Sequence, residues 1–492
     1  MTTKLSLATL DQVAATAAVP AYSRDRLSAG IVHFGVGNFH RAHQAIHLDD
    51  LFNTGRDFDW AIVGAGVLPS DNAMREKLAD QDFLTTVVEQ DPARSAARVT
   101  APMIDILPPG DSAAIVAKLA DPAIRIVSLT ITEGGYFIDA AGHFNPDHPA
   151  IVADAASPSE PKTVFGLIIA GLKARRDAGL QPFTVMCCDN IPHNGKVTEN
   201  AVTGLAALSD PDFAAWIRKN VAFPNSMVDR ITPATGKREI DIVRDTYGIE
   251  DNWPVFCEEF KQWVMEDNFP AGRPALETVG VQFVPEVAPY EHMKIRILNG
   301  GHAAIAYPAA LLDIHFVHEA MENPLIRGFL AKLENDEIIP VIPPVPNTDL
   351  NDYFKLIESR FLNSKIADTI PRLAQDGSNR QPKFILPSTA DRLARGEDVV
   401  GLSLVSALWC RYFEGVSDSG EDIVFNDASA ERLHEAAIAA KDDPNAFLAL
   451  TDIFGTVGED PIFRKRFADA LETLHEIGTA ATLRLYLEGG LA

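Results

Sequence analysis

A chain of 492 residues with 43 Lys plus Arg against 68 Asp plus Glu carries a formal net charge of −25. The length exceeds one ordinary core and predicts two domains of unequal size. The acidic balance excludes unspecific binding to nucleic-acid phosphates or anionic lipid, and no apolar run reaches the roughly 18 residues of a membrane span.

The opening MTTKLSLATLDQVAATAAV lacks the basic start and long apolar core of a secretory leader, so a cytoplasmic location is expected. The first strand-like run, IVHFGVG (31–37), passes into the amphipathic FHRAHQAIHLDDLF, expected as a helix. Between them GVGNFHR (35–41) has the strand–turn–helix context in which glycines let backbone N–H groups approach a pyrophosphate. The sixth position of G-x-G-x-x-G is His40, without the glycine of close helix–sheet packing. Two readings therefore stand: a diverged dinucleotide site, or a simple tight turn. His40, His43 and His47 are spaced as a metal face would be, but no carboxylate completes a set. Packing on a partly buried helix is the simpler account, and no metal is expected.

The next run, WAIVGAGV (60–67), holds Gly64 and Gly66, read as a close-packed turn. An acidic residue after this strand would accept from an adenosine ribose, and Asp71 is the nearest candidate. With no arginine beside it before Arg75, NAD is favoured over its 2′-phosphorylated form. IRIVSLTIT (124–132), the helical TVFGLIIAGLKARRDAG (163–179) and FTVMCCDN (183–190) continue the alternation. Near-continuous apolar strands separated by helices predict an α/β domain with a parallel sheet covered on both faces. The four cysteines, Cys187, Cys188, Cys257 and Cys410, form no CxxC pair and are expected buried and reduced. Asn190 ends the last strand, where ligands bind in such sheets.

From about 266 to 290 the chain is rich in Pro and Gly, and beyond it most segments are helical. A Rossmann-type dinucleotide-binding domain over 1–284 and a mostly α-helical substrate-binding domain over 285–492 are expected. The second begins near EHMKIRILNGGH (291–302), which sets Lys294, Asn299 and His302 among apolar residues. On an α-helix Asn299 and His302 lie one turn apart, with the Lys294 stem able to reach toward both. A solvated face is one reading. Beside a nicotinamide the other is chemical: a desolvated lysine takes the proton of an alcohol as hydride leaves. Asn299 and Asn190 would then donate to the developing alkoxide. Tyr290 and Lys294 also make YxxxK, the acid/base pair of short-chain dehydrogenases, although Pro289 makes Tyr290 a helix-start residue. IIPVIPPVPNTDLNDY (338–353) is expected as an ordered surface loop, and ASAERLHEAAIAAKDDPNAFLALTDIFG as a structural helical cap.

HFGVGNFHRAHQA, TITEGGY, FTVMCCDNIPHNG, FPNSMVDRITP and K-x4-N-x2-H, in this order, resemble the polyol-specific long-chain dehydrogenases from about residue 20 to near the C-terminus. The resemblance implies metal-free, NAD-dependent oxidation of D-mannitol to D-fructose and the reverse reduction, by a monomer. It makes Lys294 the general base, gives the alkoxide to Asn190 and Asn299, and has His302 position the substrate. Asp229, Arg372 and Arg380 become substrate contacts, Arg380 standing where lysine is the family's residue. Glu133 and Glu291 match a proton relay to water. The implied cofactor contacts are Phe34, Gly35, Val36, Gly37, Phe39, Arg41, Asp71, Thr132 and Glu133. Gly134 replaces a lysine of the uronate reductases, and Pro192 and His193 replace another of their pairs. The missing cation suits an uncharged polyol. D-arabinitol dehydrogenase and fructuronate reductase stay as alternatives, as does a dinucleotide-binding sensor with no catalysis.

Overall fold

The structure, a computed structural model, describes residues 2–138 and 143–491, apart from the side chain of Glu133. The chain divides into two compact units, Met1–Ala288 and Pro289–Ala492.

The first unit is built on five strands: β1 (Ala29–Phe34), β2 (Ala61–Ala65), β3 (Met103–Ile106), β4 (Ile126–Leu129) and β5 (Thr184–Cys187). They form one parallel sheet in the order β3-β2-β1-β4-β5. Their runs are apolar on both faces because helices cover both, which is why periodicity of two is missing from the sequence. The register aligns Phe34 with Ala65 and Leu129, and Leu129 with Cys187. The segments after β1, β2, β4 and β5 therefore leave the sheet along one edge. Helix α4 (Val164–Asp177) precedes β5, and its Thr163 cap accepts the Gly166 N–H at 3.0 Å.

The segment after the glycines is two helices, α1 (Asn38–Ala42) and α2 (Gln44–Asn53), where one was expected. The break falls at His43, at φ −124° and ψ −85°. Neither proline nor glycine marks it. Ring packing accompanies it: His40 stacks on His33 with centroids 3.5 Å apart, and His43 on Phe39 at 4.9 Å. All three histidines of this run are interior, not partly exposed. Burial lowers the His43 pKa to about 3 and pushes those of His40 and His47 well below the usual value, so the rings pack as neutral groups.

After β2 comes α3 (Pro69–Ala79), and after β5 comes α5 (Asn194–Ser209). A second sheet joins β7 (Gln262–Glu266) to β6 (Ser226–Asp229) antiparallel and to β8 (Gln282–Val284) parallel. The Pro- and Gly-rich stretch before 288 thus contributes an edge strand to the first unit. Thr85–Gln90 pairs with Ser95–Thr100 and Val255–Glu258 in a third sheet. All four cysteines are buried and unbridged.

Among the described residues the second unit has no strand. Its helices include α6 (Ala288–Met293, opening on the boundary residue), α7 (Gly300–Leu311), α8 (Pro324–Leu333), α9 (Leu350–Phe361), α10 (Ile370–Ala374), α11 (Gly377–Phe384), α12 (Val400–Tyr412) and α13 (Pro461–Leu487). Helix α7 is apolar nearly all round because it is central, packed by α8, α10 and α12. The proline-rich run around 338–353 is shorter as a loop than expected: a turn of 3-10 helix spans Ile339–Val341, and α9 begins at Leu350. Ile342 and Val345 are buried within it, so only part of the run is surface. Among the described residues no helix is long and apolar enough to cross a membrane.

Candidate active site

In the first unit the glycine corner follows β1. Gly35 adopts φ +92°, and a Cβ there would stand 2.0 Å from the Thr130 carbonyl oxygen. The strand-to-helix turn must therefore be glycine. Thr130 Oγ1 donates to Gly35 O at 2.7 Å, and His33 Nε2 lies 2.9 Å from the same hydroxyl. Gly37 caps α1, and in front of it the nearest atom to an added Cβ is Gly35 O at 3.8 Å. That open face lies at the start of a helix whose first N–H groups have no intrahelical acceptor.

Arg41 is fully buried, and its guanidinium donates to Trp253 O and to Asn38 Oδ1 at 2.9 Å. Asn38 Nδ2 in turn donates to Pro233 O at 3.0 Å and Thr235 Oγ1 at 2.8 Å. Arg41 thus braces the glycine corner from behind. The Phe34 ring is core, which leaves its backbone at the corner. Val36 and Phe39 are half-buried, and Val36 packs at Gly64, where a Cβ would meet Val36 Cγ2 at 2.8 Å. Asp71 stands in the first turn of α3 and accepts the Leu68 N–H at 2.9 Å. A Cβ on Gly66 would lie 2.3 Å from its Oδ2, so this carboxylate fills the end of β2.

At the ends of β4 and β5, Asn190 is exposed and Asp189 is buried. Asp189 Oδ2 accepts the Ile131 N–H at 2.8 Å and Oδ1 accepts the Thr132 N–H at 2.9 Å. The Asn194 amide, wholly buried, donates to Asp189 O at 3.0 Å and Ser226 O at 2.8 Å and accepts the Ser226 N–H at 2.9 Å. It fastens the start of β6 to the end of β5. Asp229 ends β6 and is 4% exposed, and Arg230 beside it is 5% exposed. A surface ion pair is excluded. The Arg230 guanidinium instead reaches Glu89 at 2.5 Å and Glu258 O at 2.9 Å. The side chain of Glu133 lies outside the described residues.

In the second unit Lys294 is 6% exposed, so the solvated-face reading fails. The helix carrying it is not the α-helix expected. Lys294–Asn299 is a π-helix set between α6 and α7, with the Gly300 N–H donating to Ile295 O, five residues back. On an α-helix, residues five apart point about 140° away from each other. An i→i+5 turn brings them over one another, so the spacing K-x4-N suits this local geometry. Arg296 pins the turn to Asp391 at 2.5 Å.

His302, half-buried one turn into α7, stacks on Phe361 of α9 with centroids 4.1 Å apart. Burial works to raise the Asp368 pKa, but the Arg372 guanidinium, which this carboxylate takes at both ends, brings it below the usual value, with nearby His302 adding to the effect. Arg380 Nη1 donates to Leu373 O at 2.9 Å, tying α11 to α10. Glu291 is buried on α6. The Tyr290 hydroxyl donates to Pro346 O at 3.2 Å, away from the role a short-chain dehydrogenase would give it. Among the described residues no group of three or more His, Cys, Asp or Glu is arranged to hold a metal.

Sequence reasoning missed Asp189, Asn194, Asp368 and Glu334. The last sits wholly buried at the start of a second π-helix (Glu334–Ile338), with Oε1 3.5 Å from where a Gly301 Cβ would be. Neither carboxyl oxygen has a hydrogen-bond partner among the described residues, and burial pushes its pKa well above the usual value. A folded-state pKa above the unfolded one means that stability is present at low pH and declines as pH rises past the ordinary glutamate range. Glu334→Met should therefore raise the thermal midpoint by a few degrees, the scale of about 1 kcal/mol in a domain of this size. The gain should be small at pH 5 and larger at pH 8 in thermal scans. An equal offset at both pH values would contradict a buried neutral acid.

A parallel sheet ordered 3-2-1-4-5 with a glycine corner after its first strand, followed by a helical unit that buries a lysine, defines a Rossmann-type dehydrogenase of two domains. The Mannitol dehydrogenase Rossmann domain matches residues 29–278 and the Mannitol dehydrogenase C-terminal domain residues 286–475. The chain belongs to the mannitol dehydrogenase family. It is 58% identical over 469 residues to a mannitol 2-dehydrogenase of Cereibacter sphaeroides, covering 95% of this chain and 98% of that one. The solved structure of Pseudomonas fluorescens mannitol 2-dehydrogenase in ternary complex with NAD and D-mannitol is 43% identical, with TM-score 0.89, over 99% of this chain and 100% of the other. A D-sorbitol dehydrogenase solved in substrate-free form is 34% identical, with TM-score 0.91, over 97% and 100% of the two chains.

Proposed function

We propose that this chain oxidises D-mannitol to D-fructose, and catalyses the reverse reduction, with NAD as the hydride carrier, Lys294 as general base and no metal ion in the step. The observation that carries the substrate is the 58% identity, over nearly the whole of both chains, to the Cereibacter sphaeroides mannitol 2-dehydrogenase. The first unit binds the dinucleotide and the second brings the lysine and most of the substrate contacts. The forced glycine at 35 and the open face at Gly37 fit a pyrophosphate at the start of α1. Phe34, Gly35, Val36, Gly37 and Phe39 line that corner, Arg41 braces it, and Asp71 and the Thr132–Glu133 segment flank it.

When bound, NAD accepts hydride from the carbinol carbon. Burial of an amine disfavours its charged form, which prepares Lys294 to take the hydroxyl proton. Asn190 and Asn299 donate side-chain N–H groups to the oxygen as it gains charge, without adding a titrating group. His302, oriented by Phe361, holds a neighbouring hydroxyl, and Asp229, Arg372 and Arg380 hold the rest of the polyol. Glu291 and Glu133 return the lysine proton to water.

The test is turnover with NAD and with NADP on D-mannitol, D-sorbitol, D-arabinitol and fructuronate, each before and after dialysis against a strong chelator. Reduced nicotinamide should form fastest from D-mannitol with NAD, at a rate the chelator leaves unchanged. A preference for D-sorbitol, which the 34% identical dehydrogenase makes the second reading, or for D-arabinitol would reassign the substrate. Activity lost to the chelator and restored by zinc would refute the metal-free step. Tight NAD binding without turnover on any substrate would favour a sensor.

A further inference from the structure

Thr132 has a backbone that its side chain opposes. Its φ of +64° and ψ of 166° lie in a region open essentially to glycine, and threonine is β-branched. Such a conformation persists only where the surroundings hold it. Here the holder is one carboxylate: Asp189 accepts the N–H groups of Ile131 and Thr132 at 2.8 and 2.9 Å and the Tyr136 hydroxyl at 2.6 Å. Those donors precede, form and follow the corner between β4 and Tyr136.

Asp189 is itself fixed. Its N–H donates to Cys187 Sγ at 3.4 Å, and its carbonyl accepts from Ile191 N at 2.9 Å and Asn194 Nδ2 at 3.0 Å. The Tyr136 hydroxyl, fully buried, also lies 2.8 Å from Cys187 Sγ. Burial pushes the Cys187 thiol up to about 12, so it stays protonated and neutral beside the carboxylate. The next residue along the chain is Asn190.

We propose that Asp189 is a positioning residue: its carboxylate holds the strained Thr132–Glu133 corner and the Asn190 backbone in one arrangement, so that the Asn190 amide and the corner are preorganised for hydride transfer. The inference rests on the roles given above to Asn190, Thr132 and Glu133. Strain at Thr132 is maintained because relaxing it would move this corner away from the end of β5. Preorganised donors matter because a displacement of about 1 Å near reacting atoms costs as much as 100-fold in rate.

Asp189→Asn replaces one acceptor oxygen with an NH2 group that faces N–H donors. In steady-state mannitol oxidation at saturating NAD it should lower kcat by about 10- to 100-fold while unfolding stays cooperative, with NAD affinity falling as well because the Thr132–Glu133 segment flanks the dinucleotide corner. Thr132→Gly in the same chain should recover about 10-fold, because glycine adopts this backbone without steric cost. In parallel, hydrogen exchange of the peptide spanning 130–137 should speed up in Asp189→Asn. Should that variant not fold, Tyr136→Phe removes a single donor and should still lower kcat several-fold with faster exchange in the same peptide. Unchanged kcat, or a loss that Thr132→Gly leaves untouched, overturns the proposal. If the wild type does not oxidise mannitol, the substrate reading fails by itself, and exchange decides the positioning role: faster exchange supports it and unchanged exchange overturns it.

Discussion

Replacing Lys294 by alanine should reduce kcat for mannitol oxidation at neutral pH by about 1,000-fold, inside the range that loss of a general base costs. Lys294 is 6% exposed on a π-turn whose i→i+5 bonding is made by the backbone, so truncation leaves the turn and Asn299 in place. NAD affinity should stay within about 3-fold, since the lysine belongs to the unit that does not carry the glycine corner. Lys294→Arg separates base from charge. A guanidinium keeps the cation but cannot give up its proton, so this variant should be nearly as inactive as Lys294→Ala. Activity retained by either variant would remove the lysine from the chemistry. Tyr290→Phe should be mild, because its hydroxyl is directed to Pro346 O; a collapse matching Lys294→Ala would restore the tyrosine–lysine pair as the acid/base.

What the sequence revealed follows from how local each signal is. The parallel sheet was legible because apolar runs such as IVHF and IVSL need no partner to be recognised as strands, and the glycine corner because Gly35 and Gly37 fall at the end of one. The break at His43 was not, since rings and not backbone formers accompany it: His33, on the preceding strand β1, supplies the stack for His40. The π-turn escaped for another reason. No residue type distinguishes i→i+5 from i→i+4 bonding, and periodicity of 3.6 gave Asn299 and His302 a common face while leaving Lys294 to its long stem. The spacing of five between Lys294 and Asn299 was the only trace. Asp189 passed as one more residue of the run 183–190 because its partners Ile131 and Thr132 are almost sixty positions away, joined to it only when β4 and β5 pair. Glu334 carried no sign at all: an isolated glutamate among helical residues is read as solvated, and only packing makes it interior.

Two glycines two residues apart should fail in different ways. Gly35→Ala puts a methyl 2.0 Å from Thr130 O and 2.6 Å from Thr130 C at a φ of +92°, so both the contact and the backbone are refused. The opposing atoms are main chain of the segment leaving β4, which leads directly to Thr132, and they cannot turn aside as a flexible side chain would. The corner must open, separating β1 from the β4 end, and a loss above about 4 kcal/mol, the exceptional class for one substitution, is expected. The measurable result is a thermal midpoint lower by roughly 10 °C or more, together with loss of NAD binding. Gly37→Ala has φ −97°, and its nearest neighbour at 3.8 Å is in ordinary contact. The fold should accept it within about 0.5 kcal/mol. Its methyl would occupy the open face where a pyrophosphate approaches the first turn of α1, so NAD affinity should fall by at least about 10-fold while the midpoint holds. Thermal scans paired with NAD titration by fluorescence distinguish the two. Gly37→Ala with unaltered NAD affinity would move the dinucleotide away from this corner, and Gly35→Ala with an unaltered midpoint would mean that the close approach to Thr130 is not required by the fold.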